Sequence, residues 1–188
     1  MWKITIVGYM MLMSILPTPA RSETPLLRGG EVRENTDRNG LSTRDCIVIY
    51  DSGRFHLERR RQQMPGVENK LTVYESVLTP AQMKLLEEVL SSLDLKTLPR
   101  YIPPKFPLNV STYSIFTVTI NRNNELYNLG YFDWANSRSD GSPASTPEQV
   151  KQDWQLSKDR LQAIKNWLHE LETSDLVPTD SPSDSCHD

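Results

Sequence analysis

The sequence predicts an α+β domain, with an antiparallel sheet of about four to five strands and two helices packed on one of its faces. Three observations predict it. Apolar residues alternate with polar ones around turn residues at two places, Cys46 to Arg60 and Ser111 to Phe132, which reads as two hairpins. A further alternating run, Lys70 to Leu78, adds a strand. Two longer stretches carry apolar residues at helical spacing, and each follows a Thr-Pro dipeptide that can open a helix.

The chain begins with Lys3, an apolar run of 13 residues from Ile4 to Leu16, and then Pro17 and Pro19. This is signal-peptide anatomy. Small Ala20 and Ser22 predict cleavage after Ser22, with cleavage after Ala20 as the alternative. The competing reading is a membrane anchor, but a span needs about 20 apolar residues. Segment 1–22 is therefore expected to be removed, leaving a secreted or periplasmic protein with no stable membrane span. The full chain carries 21 Lys and Arg against 24 Asp and Glu, a net charge of −3; cleavage removes two bases, Lys3 and Arg21, and no acid, giving −5. A weakly acidic chain without a concentrated basic stripe lacks the electrostatic footprint of nucleic-acid binding, so no nucleic-acid partner is expected.

Composition divides what remains. Segment 23–45 mixes charges with Gly29, Gly30 and Gly40 and shows no apolar period, which predicts a disordered leader. Segment 173–188, with Pro178 and Pro182 among Ser and Asp, predicts a disordered acidic tail. Between them, 46–172 is long enough for one domain with a modest core.

Within that domain Cys46 to Tyr50 forms the first strand, and Asp51, Ser52 and Gly53 turn the chain, since Gly53 takes positive φ without steric cost. On the return strand Phe55 and Leu57 face a core while Arg54, His56, Glu58 and Arg60 form a charged face. Arg59, Arg60 and Arg61 cannot share one side, so the triplet either straddles an exposed edge or ends the strand. The preferred reading is an edge guarded by charge; the alternative is a recognition face for an acidic partner. In the next strand Leu71, Val73 and Glu75 oppose Thr72, Tyr74 and Ser76. Thr79 as N-cap, Pro80 at the first helical position and Gln82 closing a capping box then start a helix that ends near Ser92. Leu98 to Pro107 holds too many prolines for helix or central strand and predicts an extended connector. The second hairpin turns at Asn121 to Asn124, and Gly130 suggests a bulge in its return strand. Thr146, Pro147 and Gln149 repeat the capping signal ahead of the last helix, whose stripe is Val150, Trp154, Leu161, Ile164, Leu168 and Leu171.

Few residues suggest chemistry. His56, His169 and His187 lie far apart with no paired spacing, and Asn136 to Gly141 departs from a calcium loop at Arg138. No catalytic, cofactor or metal residue is singled out, so an enzyme is not the favoured reading. His56 and Glu58 lie two apart on one strand face, where a solvated surface is the simpler account than an acid–base pair. Tyr131, Phe132 and Trp134 cluster beside a polar loop, as a ligand platform that grips a sugar ring or as core packing. Cys46 and Cys186 either close a loop across the whole domain, stabilising it by about 4 to 5 kcal/mol in the chain-entropy model, or remain free thiols.

In element order the chain resembles the small bacterial protease inhibitors called emfourins. They pair a Gly-containing hairpin, here Asp51 to Phe55, with a helix opened by Leu-Thr-Pro, here Leu78 to Pro80, then a second hairpin and a closing helix. The resemblance spans Ile47 to Leu171 as a pattern and implies architecture; the long loop after Phe132 and the tails depart from it, and no functional residue is carried over. Small size, expected export and exposed hairpins together predict a protein-binding module of the inhibitor kind. The alternatives are an enzyme assembled from dispersed residues and a structural envelope protein.

Overall fold

The computed structural model describes residues 23–35, 41–62, 70–104, 112–135, 146–180 and 186. The expected signal peptide, the Asn136 to Gly141 loop and His187 lie outside the described residues. The elements are β1 (Pro25–Asn35), β2 (Leu41–Tyr50), β3 (Arg54–Gln62), β4 (Lys70–Val77), α1 (Pro80–Ser91), β5 (Thr112–Arg122), β6 (Glu125–Ala135), α2 (Glu148–Glu172) and β7 (Pro178–Thr179). All seven strands join one antiparallel sheet in the order β6-β5-β1-β2-β3-β4-β7. Among the described residues, no helix is long and apolar enough to cross a membrane.

Two strands exceed the expected number, and both fall where disorder was expected. Segment 23–45 holds β1 and the first half of β2, and β1 sits in the middle of the sheet with β2 on one side and β5 on the other. Its glycines serve close approach. A Cβ on Gly29 would stand 3.1 Å from Cδ1 of Leu168 in α2, and one on Gly30 would stand 2.8 Å from the Asp45 carbonyl oxygen. Residues that read as breakers are thus where a helix and a neighbouring strand come nearest. The expected tail likewise supplies β7, which pairs with β4 through Val73 and Tyr74, and Cys186, which is disulfide-bonded to Cys46 with the Cα atoms 6.0 Å apart.

Both helices lie on one face of the sheet. Leu168 of α2 stands over Gly29, and Glu87 of α1 accepts a hydrogen bond from Arg122 of β5 at 2.9 Å on the same side. Under them Leu27, Ile47, Ile49, Phe55, Leu57, Val118 and Ile120 meet Leu86, Leu90, Leu161, Ile164 and Leu168 in one buried core. Each such side chain contributes about 1.5 to 3 kcal/mol by leaving water.

The local signals fare unevenly. Thr79 caps α1 with the reciprocal capping box, whereas α2 starts one residue late, with Pro147 as N-cap and no side-chain cap bond, so Thr146 and Gln149 do not repeat the motif. Gly53 takes φ of 85°, and Asn123 and Asn124 take φ of 53° and 62°, the two positive values that a two-residue hairpin loop needs. Gly130 marks no bulge, because the β5–β6 register runs unbroken through it; a Cβ there would meet the Phe116 carbonyl oxygen at 2.5 Å. Residues 98–104 form no helix or strand, and the Tyr101 N–H donates to the Asn128 carbonyl beside β6.

The arginine triplet guards no edge. β3 lies inside the sheet, and all three arginines are paired with both β2 and β4, so neither expected placement of the triplet holds. Arg59 points to the helix side and donates to Asp45 at 3.1 Å, Arg60 is half-buried on the other side, and Arg61 is exposed.

Candidate functional site

β1 and β6 finish, and β2 and β5 begin, at the same end of the sheet. There a cleft of about 570 Å³ opens between the strands and α2. β1 contributes Glu31, Arg33 and Glu34; β5 contributes Tyr113 and Ser114; β6 contributes Asp133 and Trp134; and Lys165 closes the α2 wall. Period-two alternation places Glu31 and Arg33 on the helix side of β1, where Lys165 can reach them.

The charges are coupled. Lys165 donates to Glu31 at 2.8 Å, and Arg33 donates to the other oxygen of the same carboxylate. Burial alone would raise the Glu31 carboxyl, but these two bonds outweigh it and hold it below the usual range. Burial works to lower Lys165, and Glu31 overcomes that and raises it. The ammonium also lies 5.8 Å from the Phe116 ring centroid and 5.7 Å from that of Tyr131. On the opposite side Tyr113 donates to Glu34 at 2.6 Å, and burial first, then that bond, raises its phenol well above the ordinary value. Asp133 pairs with Lys158 at 2.9 Å.

The expected ligand platform divides. Tyr131 and Phe132 are 1% and 2% exposed and belong to the core, Tyr131 beside Phe116 and Phe132 beside Tyr113. Trp134 is half-buried, stacks on Phe132 at 5.5 Å between centroids, and lines the cleft. Trp154 stands edge-on to the indole at 6.2 Å, so Trp134 brings a held aromatic ring to the cleft lining, where it can contact an apolar or aromatic group.

The expected charged recognition face does not exist as a surface. His56 and Glu58 are 0% and 1% exposed. They lie on the sheet face away from the helices, which carries the Cys46–Cys186 bridge, and Glu58 pairs directly with Cys46 across the strands. His56 Nε2 lies 3.0 Å from Glu58 Oε1, and its Nδ1 lies 3.2 Å from Glu75 Oε1. A carboxyl oxygen thus stands at each ring nitrogen. Arg54 is half-buried, bonded to Glu23 at 2.6 Å and set over the Tyr50 ring. Among the described residues no group of three or more His, Cys, Asp or Glu is placed to hold a metal ion.

Sequence reasoning missed Glu31, Arg33 and Lys165. Two signals were present: Glu31 and Arg33 sit two apart in a strand period, and Lys158 and Lys165 sit seven apart on one helix face. No family model matches this chain, and no curated protein sequence matches it.

Proposed function

We propose that the chain is an exported binding module that takes a segment of a partner protein in the cleft at the end of its sheet where β1 and β6 finish. The observation that carries this reading is a single cleft at the sheet's end, lined by the half-exposed Trp134 from one face and by the coupled Glu31, Arg33 and Lys165 from the other. An aromatic anchor with a supported ring is the residue type that concentrates binding energy, and fixed charges around it orient what it holds. The volume lies within the range of ligand-holding clefts. Export is supported by Lys3 and the apolar run after it, and the disulfide suits an oxidising compartment. Among binding modules, the resemblance in element order to emfourins suggests an inhibitor, with a protease as the partner.

Wild-type chain and Trp134→Ala, each immobilised and exposed to the native secretome, test the reading. The wild type is expected to retain a protease that the variant loses, with inhibition of the eluted protease as the second readout. Identical retention by both removes the cleft from the account. A Trp134 emission shift with oligosaccharides and no retained protein would replace the protein partner with a glycan, and retained envelope material would favour a structural role.

A further inference from the structure

We propose that the Cys46–Cys186 disulfide is a thiol-exchange site for small anionic thiols, in which the buried His56 and Glu58 pass the proton. It lies on the sheet face opposite the helices. Both cysteines wall a cavity of about 270 Å³ there, together with Arg28, Gly30, Arg44 and Thr117. Gly30 pairs directly with Cys46, and having no side chain it leaves the space beside the sulfur open. Exchange requires a thiolate to reach a disulfide sulfur, and this cavity gives it room.

The surrounding charge favours the reaction. Arg28 and Arg44 line the cavity, Arg60 pairs with Arg44 from β3 on the same face, and the two acidic lining residues, Glu31 and Asp45, have their carboxylates engaged by Lys165 and Arg59 on the helix side. Cations near a sulfur stabilise the thiolate as attacker and as leaving group, and they draw in anionic thiols. The proton has a route as well. Directly opposed residues in an antiparallel pair hold their Cβ atoms about 5 Å apart, which sets Glu58 beside Cys46. From Glu58 the contacts run through His56 to Glu75, whose side chain is 36% exposed.

The step balances with two thiols. A thiolate attacks Sγ of Cys186, the less buried of the pair, and forms a mixed disulfide with it. The electron pair of the broken bond goes to Sγ of Cys46, which takes a proton through Glu58 and His56, and solvent replaces that proton through Glu75. A second thiol then attacks the mixed disulfide and leaves Cys186 as a thiol. Two small thiols are oxidised to one disulfide while the protein disulfide is reduced to two thiols.

The test follows thiol release from the folded, oxidised chain with 2-mercaptoethanesulfonate, which is anionic, and cysteamine, which is cationic, at equal thiolate concentration. The anionic thiol is expected to react about tenfold faster at low salt. At roughly 1 M salt the two rates should converge. The double variant Arg28→Ser, Arg44→Ser, at a half-buried and an exposed position, should also equalise them while its urea midpoint stays close to that of the wild type. Equal rates in the wild type at low salt, or release only as fast as global unfolding, overturn the proposal. Glu75→Gln, at the solvent end of the route, is expected to change the pH profile of the anionic rate; an unchanged profile removes the proton role.

Discussion

Glu172, the last residue of α2, faces Asp45 of β2 and Arg59 of β3, with Arg59 Nη2 at 4.0 Å and His169 Nδ1 at 3.9 Å. Burial, and then the charge of Asp45, push its carboxyl up to about 7, while Arg59 pulls the other way. The sign of the linkage follows. Between the unfolded value near 4.3 and about 7 the folded state holds a proton that the unfolded state has released, so stability falls as pH rises through that window and levels off above it. The effect amounts to at most about 4 kcal/mol. Glu172→Gln removes the titration, so its stability relative to wild type should climb between pH 4.5 and 7.5 in urea melts. A difference that stays constant with pH would count against the placement of Glu172 among these charges.

At the scale of elements, β1 decides the architecture. It has hydrogen-bonded neighbours on both sides along nearly its whole length, from Leu27 to Asn35. Interior amides of such a strand open only with the sheet, whereas amides of a disordered leader exchange at once. Hydrogen exchange read by mass spectrometry should therefore place Leu27 to Val32 among the slowest amides of the protein. Fast exchange there would return the segment to the disordered class. The same double pairing explains why β1 carries glycines: at the centre of the sheet it meets α2 on one face and β2 at close range.

For the whole molecule, the disulfide joins residues 140 apart and encloses every element from β3 to β7. Chain entropy assigns a loop of this size about 4 to 5 kcal/mol. The paired variant Cys46→Ser, Cys186→Ser should lose stability of that order in denaturant titration under non-reducing conditions. A loss below about 1 kcal/mol would mean that residual structure already restrains the unfolded chain without the bridge.

Sequence by itself determined the class, the two helices and five of the strands, because those signals are local: Thr79 and Gln82 meet within one turn, Gly53 needs only its own φ, and Phe55 and Leu57 alternate within one strand. It also left a readable trace of the candidate site in the spacing of Glu31 with Arg33 and of Lys158 with Lys165. What it could not convey depended on partners far along the chain. Gly29 and Gly30 look like breakers until Leu168 and Asp45 approach them, and Trp134 separates from Tyr131 and Phe132 only once the cleft forms. The tertiary structure alone decided that β3 is interior and that His56 and Glu58 are buried, since the neighbours on that face include a cysteine paired with residue 186. Burial of a strand's second face is settled by what covers it, and that choice is made by packing between distant segments, which leaves no period in the strand itself.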